Sequence, residues 1–150
     1  MTYNVLNNDQ NIELAILRVA TLSFRCNEFV QLSAGPNNAN INIGVQTMVD
    51  LEKNFVALNV KVTFTPIEDQ NIILMEGDFQ TIFGINDLAS WKNQHNEIAL
   101  PDDVNYTMTT IALSHARALF ANFSANGPFK HLIIPILSKE WIERELLKKL

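Results

Sequence analysis

A strict alternation of apolar and polar residues between Phe55 and Thr65 is the feature that most constrains how this chain can fold. Every second residue there is apolar: Val56, Leu58, Val60, Val62 and Phe64. A period of two places these side chains on one face of a β-strand and the residues between them on the other face. Antiparallel sheets with one covered face carry this pattern. The sequence therefore predicts a half-buried antiparallel sheet.

Three further segments are predicted to be strands of the same sheet: residues 14–25, 40–49 and 72–83. In the first, the apolar alternation slips near Ala20 and Thr21, as a β-bulge would cause. Polar turns at 50–54 and 68–71 separate the other strands, and consecutive strands with short turns favour a four-stranded antiparallel meander. The loop after the first strand is longer. It carries three apolar residues that a solvated loop would not need: Phe29, Val30 and Leu32.

A long amphipathic helix is predicted over residues 102–125. Asp102 and Asp103 place negative charge at its amino-terminal end, and a Gly-Pro pair follows its other end. Its apolar residues form two stripes at helical spacing: Val104, Met108, Ile111 and Leu119 in one, and Leu113, Ala116, Phe120 and Phe123 in the other. One stripe can pack on the sheet. The other predicts contact with a second helix or a second subunit.

A closing helix is predicted from Ser138 to Leu150, with Ser138 as its N-cap. Its apolar side consists of Trp141, Ile142, Leu146 and Leu150. Pro135 prevents the apolar segment before it from forming a long regular strand. Together the elements predict one α+β domain over residues 1–150, in which the four-stranded sheet is packed by the long helix and a C-terminal helix.

Composition excludes several classes of protein. The net charge is −5 and the pI is about 5.1, whereas nucleic-acid binders usually present a basic face. No run of 18 apolar residues and no signal peptide occur, so we expect neither membrane insertion nor export of this chain. Cys26 is the only cysteine, which favours a reducing compartment, the cytoplasm.

No motif for catalysis or metal binding is found in the sequence. The histidines, His95, His115 and His131, form no metal-binding spacing, and the glycines form no phosphate-binding loop. Helix capping accounts for Asp102 and Asp103. We therefore expect no catalytic residue, no metal and no cofactor. The alternative is a small-ligand-binding or enzymatic α+β domain with a buried pocket, whose residues come together only in the fold.

The order of elements resembles the SecB family of protein-export chaperones, over about residues 14–149. Five segments carry the resemblance: "ILRVATLSFRCN", "FVALNVKVTF", "LMEGDFQTIFGI", "ALPDDVNYTMTTIALSHARALFANF" and "LIIPILSKEWI". The resemblance implies a holdase that masks apolar segments of unfolded polypeptides without ATP. It also implies a homotetramer built as a dimer of dimers, in which strands of two protomers form a continuous sheet.

The resemblance implies two sets of contact residues. The long helix would lie between dimers, through Met108, Ile111, Leu113, Ala116 and Phe120. Clients would bind in apolar grooves formed by the crossover loop, the sheet and the last helix. The residues at these places are Phe29, Val30, Leu32, Trp141, Ile142 and Leu146.

The resemblance also implies candidate partners. Family members meet the SecA motor with the help of a mobile tail, whereas this sequence ends in a predicted helix. A contact with SecA would then depend on an acidic patch on the sheet, formed by Glu68, Glu76 and Asp78. Divergent SecB-like proteins also serve antitoxins of toxin–antitoxin systems, so an antitoxin is a second candidate client.

Overall fold

The computed structural model describes residues 1–7, 10–30 and 39–149. Its centre is an antiparallel sheet of five strands: β1 (Thr2–Asn7), β2 (Gln10–Cys26), β3 (Ala39–Asp50), β4 (Phe55–Pro66) and β5 (Met75–Ile85). Their order across the sheet is β1-β2-β5-β4-β3. One long helix, α1 (Asp102–Ser124), covers one face of this sheet. The α+β class with an antiparallel sheet is confirmed.

The predicted number of strands was wrong by one. The additional strand, β1, forms a hairpin with the first part of β2, in a register from Thr2 opposite Ala15 to Asn7 opposite Gln10. Its sequence, TYNVLN, is short and largely polar, although Val5 is buried. So short a strand shows too few periods of alternation to be recognised from sequence.

The predicted meander describes only part of the sheet. Strands β3, β4 and β5 follow one another as hairpins, but β2 pairs with β5 instead of β3. This is the strand order of a Greek key. Strands β2 and β3, which follow one another in the sequence, are therefore not neighbours in the sheet.

The predicted face of β4 is confirmed, and β5 continues it. All five alternating apolar residues of β4 are buried, and Met75, Phe79 and Phe83 of β5 are buried beside them. The opposite face carries the polar partners of the ladder, including Lys61 and Asp78. Here the hydrophobic pattern sets the register, because a slip by one residue would turn every apolar side chain outward.

Strand β2 contains two irregularities where one had been predicted. The register with β5 shifts between Ile16 and Arg18 and again between Thr21 and Ser23. The extra residues are Leu17 and Leu22, whose side chains are 58% and 48% exposed. Leu17 lies against Gly84, on the face of the sheet that α1 does not cover. The bulges thus place two large apolar side chains at the surface.

Helix α1 ends within one residue of its predicted limit, but it buries one face instead of two. The buried residues combine members of both predicted stripes: Val104, Met108, Thr109, Ala112, Leu113, Ala116, Phe120 and Ser124. Ile111 and Leu119 are only partly covered, and Phe123 is 48% exposed. The buried residues include a row spaced four apart, from Val104 through Met108 to Ser124, and such a row runs continuously along a helix. This row contains members of both predicted stripes, so the two stripes form one buried face.

The end of the chain is helical but irregular. Helix α2 (Lys139–Trp141) continues into a π-helical turn (Ile142–Leu146) and then a 3-10 turn (Leu147–Lys149). The hydroxyl of Ser138 accepts a hydrogen bond from the backbone N–H of Trp141 at 3.2 Å, which confirms the N-cap. Another 3-10 turn spans Leu88–Trp91. Within the described residues, no helix is both long and apolar enough to cross a membrane.

An aromatic cluster attaches the end of α1 to the sheet. The ring of Phe120 lies 5.4 Å from the ring of Phe24, 5.4 Å from that of Phe64 and 6.2 Å from that of Phe79. Gly77 lies beneath these rings. A β-carbon added to it would come within 2.5 Å of the Phe79 ring and 3.1 Å of the Phe120 ring. Because Gly77 has no side chain, the rings of Phe79 and Phe120 can pack in the space above it.

We predict that Gly77→Ala destabilises the protein by about 1–3 kcal/mol, because neither buried ring can move aside without disturbing the other. The matched control is Gly44→Ala in β3, where an added β-carbon meets nothing within 4 Å. That change should be neutral or slightly stabilising. Urea denaturation of both variants measures the difference. Equal midpoints for the two variants would show that Phe120 does not depend on the space at Gly77.

Candidate functional site

The crossover turn after β2 exposes an aromatic side chain. Phe29 is 98% exposed, and its backbone N–H donates to the side-chain oxygen of Asn27 at 3.2 Å. The backbone N–H of Asn27 in turn donates to the carbonyl of Leu74 at 2.8 Å. The turn is therefore anchored to the sheet while Phe29 points away from it. Val30 is half-buried against the core, and the third predicted residue of this loop, Leu32, lies outside the described residues.

A cavity of about 620 Å³ lies beside this turn. Its lining includes Cys26, Phe29, Ile72 and Ile73. Burial, and secondly the nearby carboxylate of Glu28, raise the pKa of the Cys26 thiol above its ordinary value. The thiol is thus kept protonated, which is typical of a small apolar side chain and not of a nucleophile.

The connector, residues 125–138 between α1 and α2, forms a second exposed apolar surface. Phe129, Leu132 and Ile134 are buried, whereas Ile133 is 67% exposed and Ile136 is 82% exposed. The backbone N–H groups of residues 133, 134, 136 and 137 donate no hydrogen bond to any described residue. The second half of the connector, residues 132–138, is therefore an apolar segment outside helix, strand and turn whose backbone can still form hydrogen bonds.

Sequence reasoning missed Ile133 and Ile136. The signal was present in "LIIPIL", six consecutive apolar residues. An extended segment can bury only alternate side chains against one surface, so such a run must expose some of the others.

The client-binding residues predicted in the last helix are much less exposed than Phe29. Ile142 and Leu146 are 3% and 5% exposed and belong to the core, and Trp141 is half-buried against it. The apolar side of this segment closes the core beneath it. The role of all three residues in client binding was a prediction from the resemblance. The burial of Ile142 and Leu146 leaves almost no surface of these two side chains for a client.

Phe29 and Trp141 lie at opposite ends of α1. Cys26, near Phe29, is the neighbour of Gly127 just beyond the end of α1, whereas Lys139, next to α2, lies over the ring of Tyr106 near its beginning. Residues 106 and 120 are roughly 20 Å apart along a helix. The connector runs between the two ends. We call the exposed side chains of Phe29, Ile133 and Ile136 the apolar strip.

The five residues predicted for contact between dimers also have defined places. Met108, Leu113, Ala116 and Phe120 are buried in the core of this chain. Their packing therefore needs no second subunit. Of the five, only Ile111 keeps part of its side chain exposed.

The edge of β2 is another unpaired surface. β1 covers β2 only as far as Ala15, and the backbone N–H of Ile16 reaches the carbonyl of Met1 at 3.0 Å. Beyond that point the described residues offer no strand to this edge. Leu17, Val19 and Leu22 are all at least 40% exposed along it.

The outer face of the sheet is not the acidic patch that the sequence suggested. Glu76 pairs with Arg25 at 3.1 Å and with Lys61 at 3.6 Å, so two cations neutralise one carboxylate. One carboxylate oxygen of Asp78 is buried without a hydrogen-bond partner among the described residues. Glu68 lies in the exposed turn after β4.

The histidines do not converge on a site. The ring nitrogen Nδ1 of His115 lies 3.0 Å from the hydroxyl of Thr81, and burial lowers the pKa of His115. His95 and His131 are exposed. In the described part of the chain, no three His, Cys, Asp or Glu side chains lie close enough to hold a metal ion.

A solved structure shows which known fold this is. The chain is similar to the SecB-like chaperone Rv1957 of Mycobacterium tuberculosis, solved in complex with a ChAD peptide from the HigA1 antitoxin Rv1956. The superposition gives a TM-score of 0.57 with 11% sequence identity, and covers 83% of this chain and 88% of that one. The SecB-like fold predicted from sequence is confirmed. No known family model and no curated protein sequence matches the chain.

We predict that truncating a core side chain lowers the free energy of unfolding, whereas truncating a side chain of the apolar strip leaves it almost unchanged. Ile142→Ala should lower the free energy of unfolding by roughly 2–5 kcal/mol, because it removes buried methyl groups and leaves a cavity. Ile136→Ala makes the same chemical change on an exposed side chain and should alter it by less than about 0.5 kcal/mol. Urea denaturation checks both. A similar loss in the two variants would mean that Ile136 is covered in solution.

Proposed function

We propose that this chain is a cytoplasmic holdase-type chaperone, which binds unfolded polypeptides without ATP. The observation that carries the proposal is the apolar strip. Apart from Met1, the most exposed large apolar side chains of the described residues are Phe29 in the turn after β2 and Ile136 and Ile133 in the connector. Exposed apolar side chains that follow one line suit an extended peptide better than a compact ligand.

The energetics of the strip fit a sequence-tolerant binder. Burial of each large apolar side chain contributes roughly 1.5–3 kcal/mol before the cost of ordering the client. Three or four such contacts give useful affinity without a specific sequence. Because a holdase binds the unfolded state and not the native state, its occupancy follows mass action and needs no nucleotide.

The backbone of the connector adds a second kind of contact. Free N–H and C=O groups in an extended segment can pair with the main chain of a client, whatever the client's side chains are. The similar Mycobacterium protein was solved with a peptide of an antitoxin. For this chain, an antitoxin and a secretory preprotein are both candidate clients.

A dimer of dimers is part of the proposal, with the unpaired edge of β2 as its first interface. Antiparallel pairing of two such edges would satisfy their backbone groups, join two sheets into one and cover Leu17, Val19 and Leu22. The outer face of α1, where Ile111 lies, is the surface left for contact between dimers.

A contact with the SecA motor is the least supported part. Glu76 is neutralised by Arg25 and Lys61, so the sheet offers little excess negative charge to a basic partner. We therefore favour clients that reach this chaperone independently of SecA. Binding of purified SecA would change that choice.

The second candidate function is binding of a small molecule. In that case the protein would take no part in protein export or in control of a toxin. The cavity of about 620 Å³ beside Cys26 is within the volume range of ligand sites. A ligand there would bind with one fixed stoichiometry and would raise the melting temperature. Unfolded clients of different sequence would show neither one fixed stoichiometry nor a reproducible rise in the melting temperature.

We predict that the protein suppresses aggregation of a chemically unfolded client and that Phe29→Ser with Ile136→Ser abolishes this effect. Both side chains are exposed, so the melting temperature should move little. Met48→Ser is the matched control, since Met48 is 49% exposed on the other face of the sheet. Light scattering of the client follows the effect. If the wild-type protein delays aggregation of no client at equimolar tetramer, the chaperone function is wrong.

The native cysteine supplies a second measurement of the same prediction. Cys26 lines the cavity beside Phe29 and is the only cysteine, so alkylation reports this place alone. Client binding should slow the alkylation of Cys26. Unchanged alkylation at a saturating client concentration would place the client elsewhere on the molecule.

We predict that Leu22→Lys dissociates the assembly, because a charged side chain at the β2 edge would be buried without a partner. Met48→Lys introduces the same charge on an equally exposed residue of β3 and should leave the assembly intact. Multi-angle light scattering gives the masses. A wild-type particle of 17.0 kDa, the mass of one chain, would rule out the oligomer altogether.

A further inference from the structure

A small notch lies between α1 and the connector, and three polar residues interrupt its mostly apolar lining. Its volume is about 60 Å³, and one wall consists of residues 134–137 of the connector together with Ile142. The other wall includes Thr110, Ser114 and Arg117 of α1. A single water needs roughly 10–15 Å³ on this scale, so the notch has room for a few heavy atoms.

Two groups in the notch lack partners. The hydroxyl oxygen of Thr110 is buried and makes no hydrogen bond with any described residue. The half-buried guanidinium of Arg117 forms no ion pair with the described carboxylates. A buried hydroxyl without a partner is costly, and a guanidinium presents several donors in one plane. Both groups are suited to an anionic oxygen.

The connector itself carries charge of one sign. Residues 125–139 contain Lys130 and Lys139 but no Asp or Glu. Lys130 is exposed and makes no ion pair in the described structure, whereas Lys139 pairs with Glu143 at 3.7 Å. In a chain of net charge −5, this surface is a local basic strip that lies directly beside exposed Ile133 and Ile136.

We propose that the notch binds the side-chain carboxylate of a Glu or Asp in an extended apolar segment of the client. The inference rests on the proposed holdase function and adds a selectivity to it. The client runs along the connector, its apolar side chains cover Ile133 and Ile136, and its carboxylate accepts hydrogen bonds from Arg117 and Thr110. Clients with an acidic residue inside an apolar segment are preferred over clients with a basic or neutral one.

Two short fluorescein-labelled peptides test this selectivity. Both carry valines and isoleucines around one central residue, Glu in one and Gln in the other, and both have amidated carboxyl termini. Fluorescence anisotropy should show that the Glu peptide binds roughly five- to tenfold more tightly, and high salt should reduce that ratio. A third peptide, with central Gln and a free carboxyl terminus, should bind like the amidated Gln peptide.

Three variants identify the residues. Arg117→Gln should remove the preference for Glu, whereas Lys92→Gln, which changes the net charge equally in an exposed loop, should keep it. Thr110→Val should reduce the preference while leaving the melting temperature unchanged or higher, because it removes an unpartnered hydroxyl. A purely structural role of Thr110 would not produce that combination.

The outcomes separate this inference from the proposed function. Equal binding of the Glu and Gln peptides would overturn the selectivity and leave the holdase intact. An equal effect of Arg117→Gln and Lys92→Gln would assign the preference to overall charge, which also overturns the notch. Tighter binding only with a free carboxyl terminus would replace the side-chain carboxylate by the chain end. Failure of every peptide and every unfolded protein to bind would remove the proposed function and the inference together.

Discussion

The packing of the Phe120 ring over Gly77 is the contact on which the rest of this structure depends. Three rings from three strands surround Phe120, and the space for it exists because β5 has no side chain at position 77. This contact fixes the end of α1 above the ends of β2 and β4. The chain leaves the helix after Ser124, passes Gly127 beside Cys26, and runs back along α1 to reach α2 near Tyr106. The position of α1 thus dictates the path of the connector.

The length of that path explains why the connector is extended. Seven residues, 132–138, can span about 23 Å when fully extended, close to the roughly 20 Å that separates Tyr106 from Phe120 along α1. A helix of the same residues would cover only about half of that distance. An extended segment on top of a helix finds no neighbouring strand, so its backbone remains unpaired and its alternate side chains face outward. Ile133 and Ile136 are exposed for this geometric reason.

The sequence predicted the parts of the fold that follow from local periodicity. Strand β4 and helix α1 each contain several periods; the face of β4 agrees with the structure, whereas α1 buries one face that combines residues of both predicted stripes. The pairing of β2 with β5 could not be predicted, because strand order depends on contacts far apart in sequence. The exposure of Leu17 and Leu22 follows from bulges whose positions the alternation located only approximately.

The exposure of the candidate site residues was harder to predict than the fold. An apolar aromatic residue in a polar loop is conspicuous, so Phe29 could be singled out from the sequence, and it is exposed in the structure. Ile142 and Leu146 were assigned to the groove because an apolar helix side has the same pattern whether it faces a client or the chain's own core. Only the structure distinguishes the two, through exposures of 3% and 5% against 82% for Ile136.

Separation of the core from the apolar strip has a consequence for solubility as well as for binding. Side chains that stabilise the fold are buried, so the strip can change without unfolding the protein. Its exposed isoleucines would still promote association between copies. The net charge of −5 opposes that association, since like-charged molecules repel within a Debye length of about 8 Å at physiological salt. In the proposed binding mode, a client segment with its own carboxylate would meet the basic residues beside the strip first, and these local charges would outweigh the more distant acidic ones that salt screens. The same charge distribution is therefore compatible with both a dispersed free protein and the proposed attraction of an acidic, apolar segment to the connector.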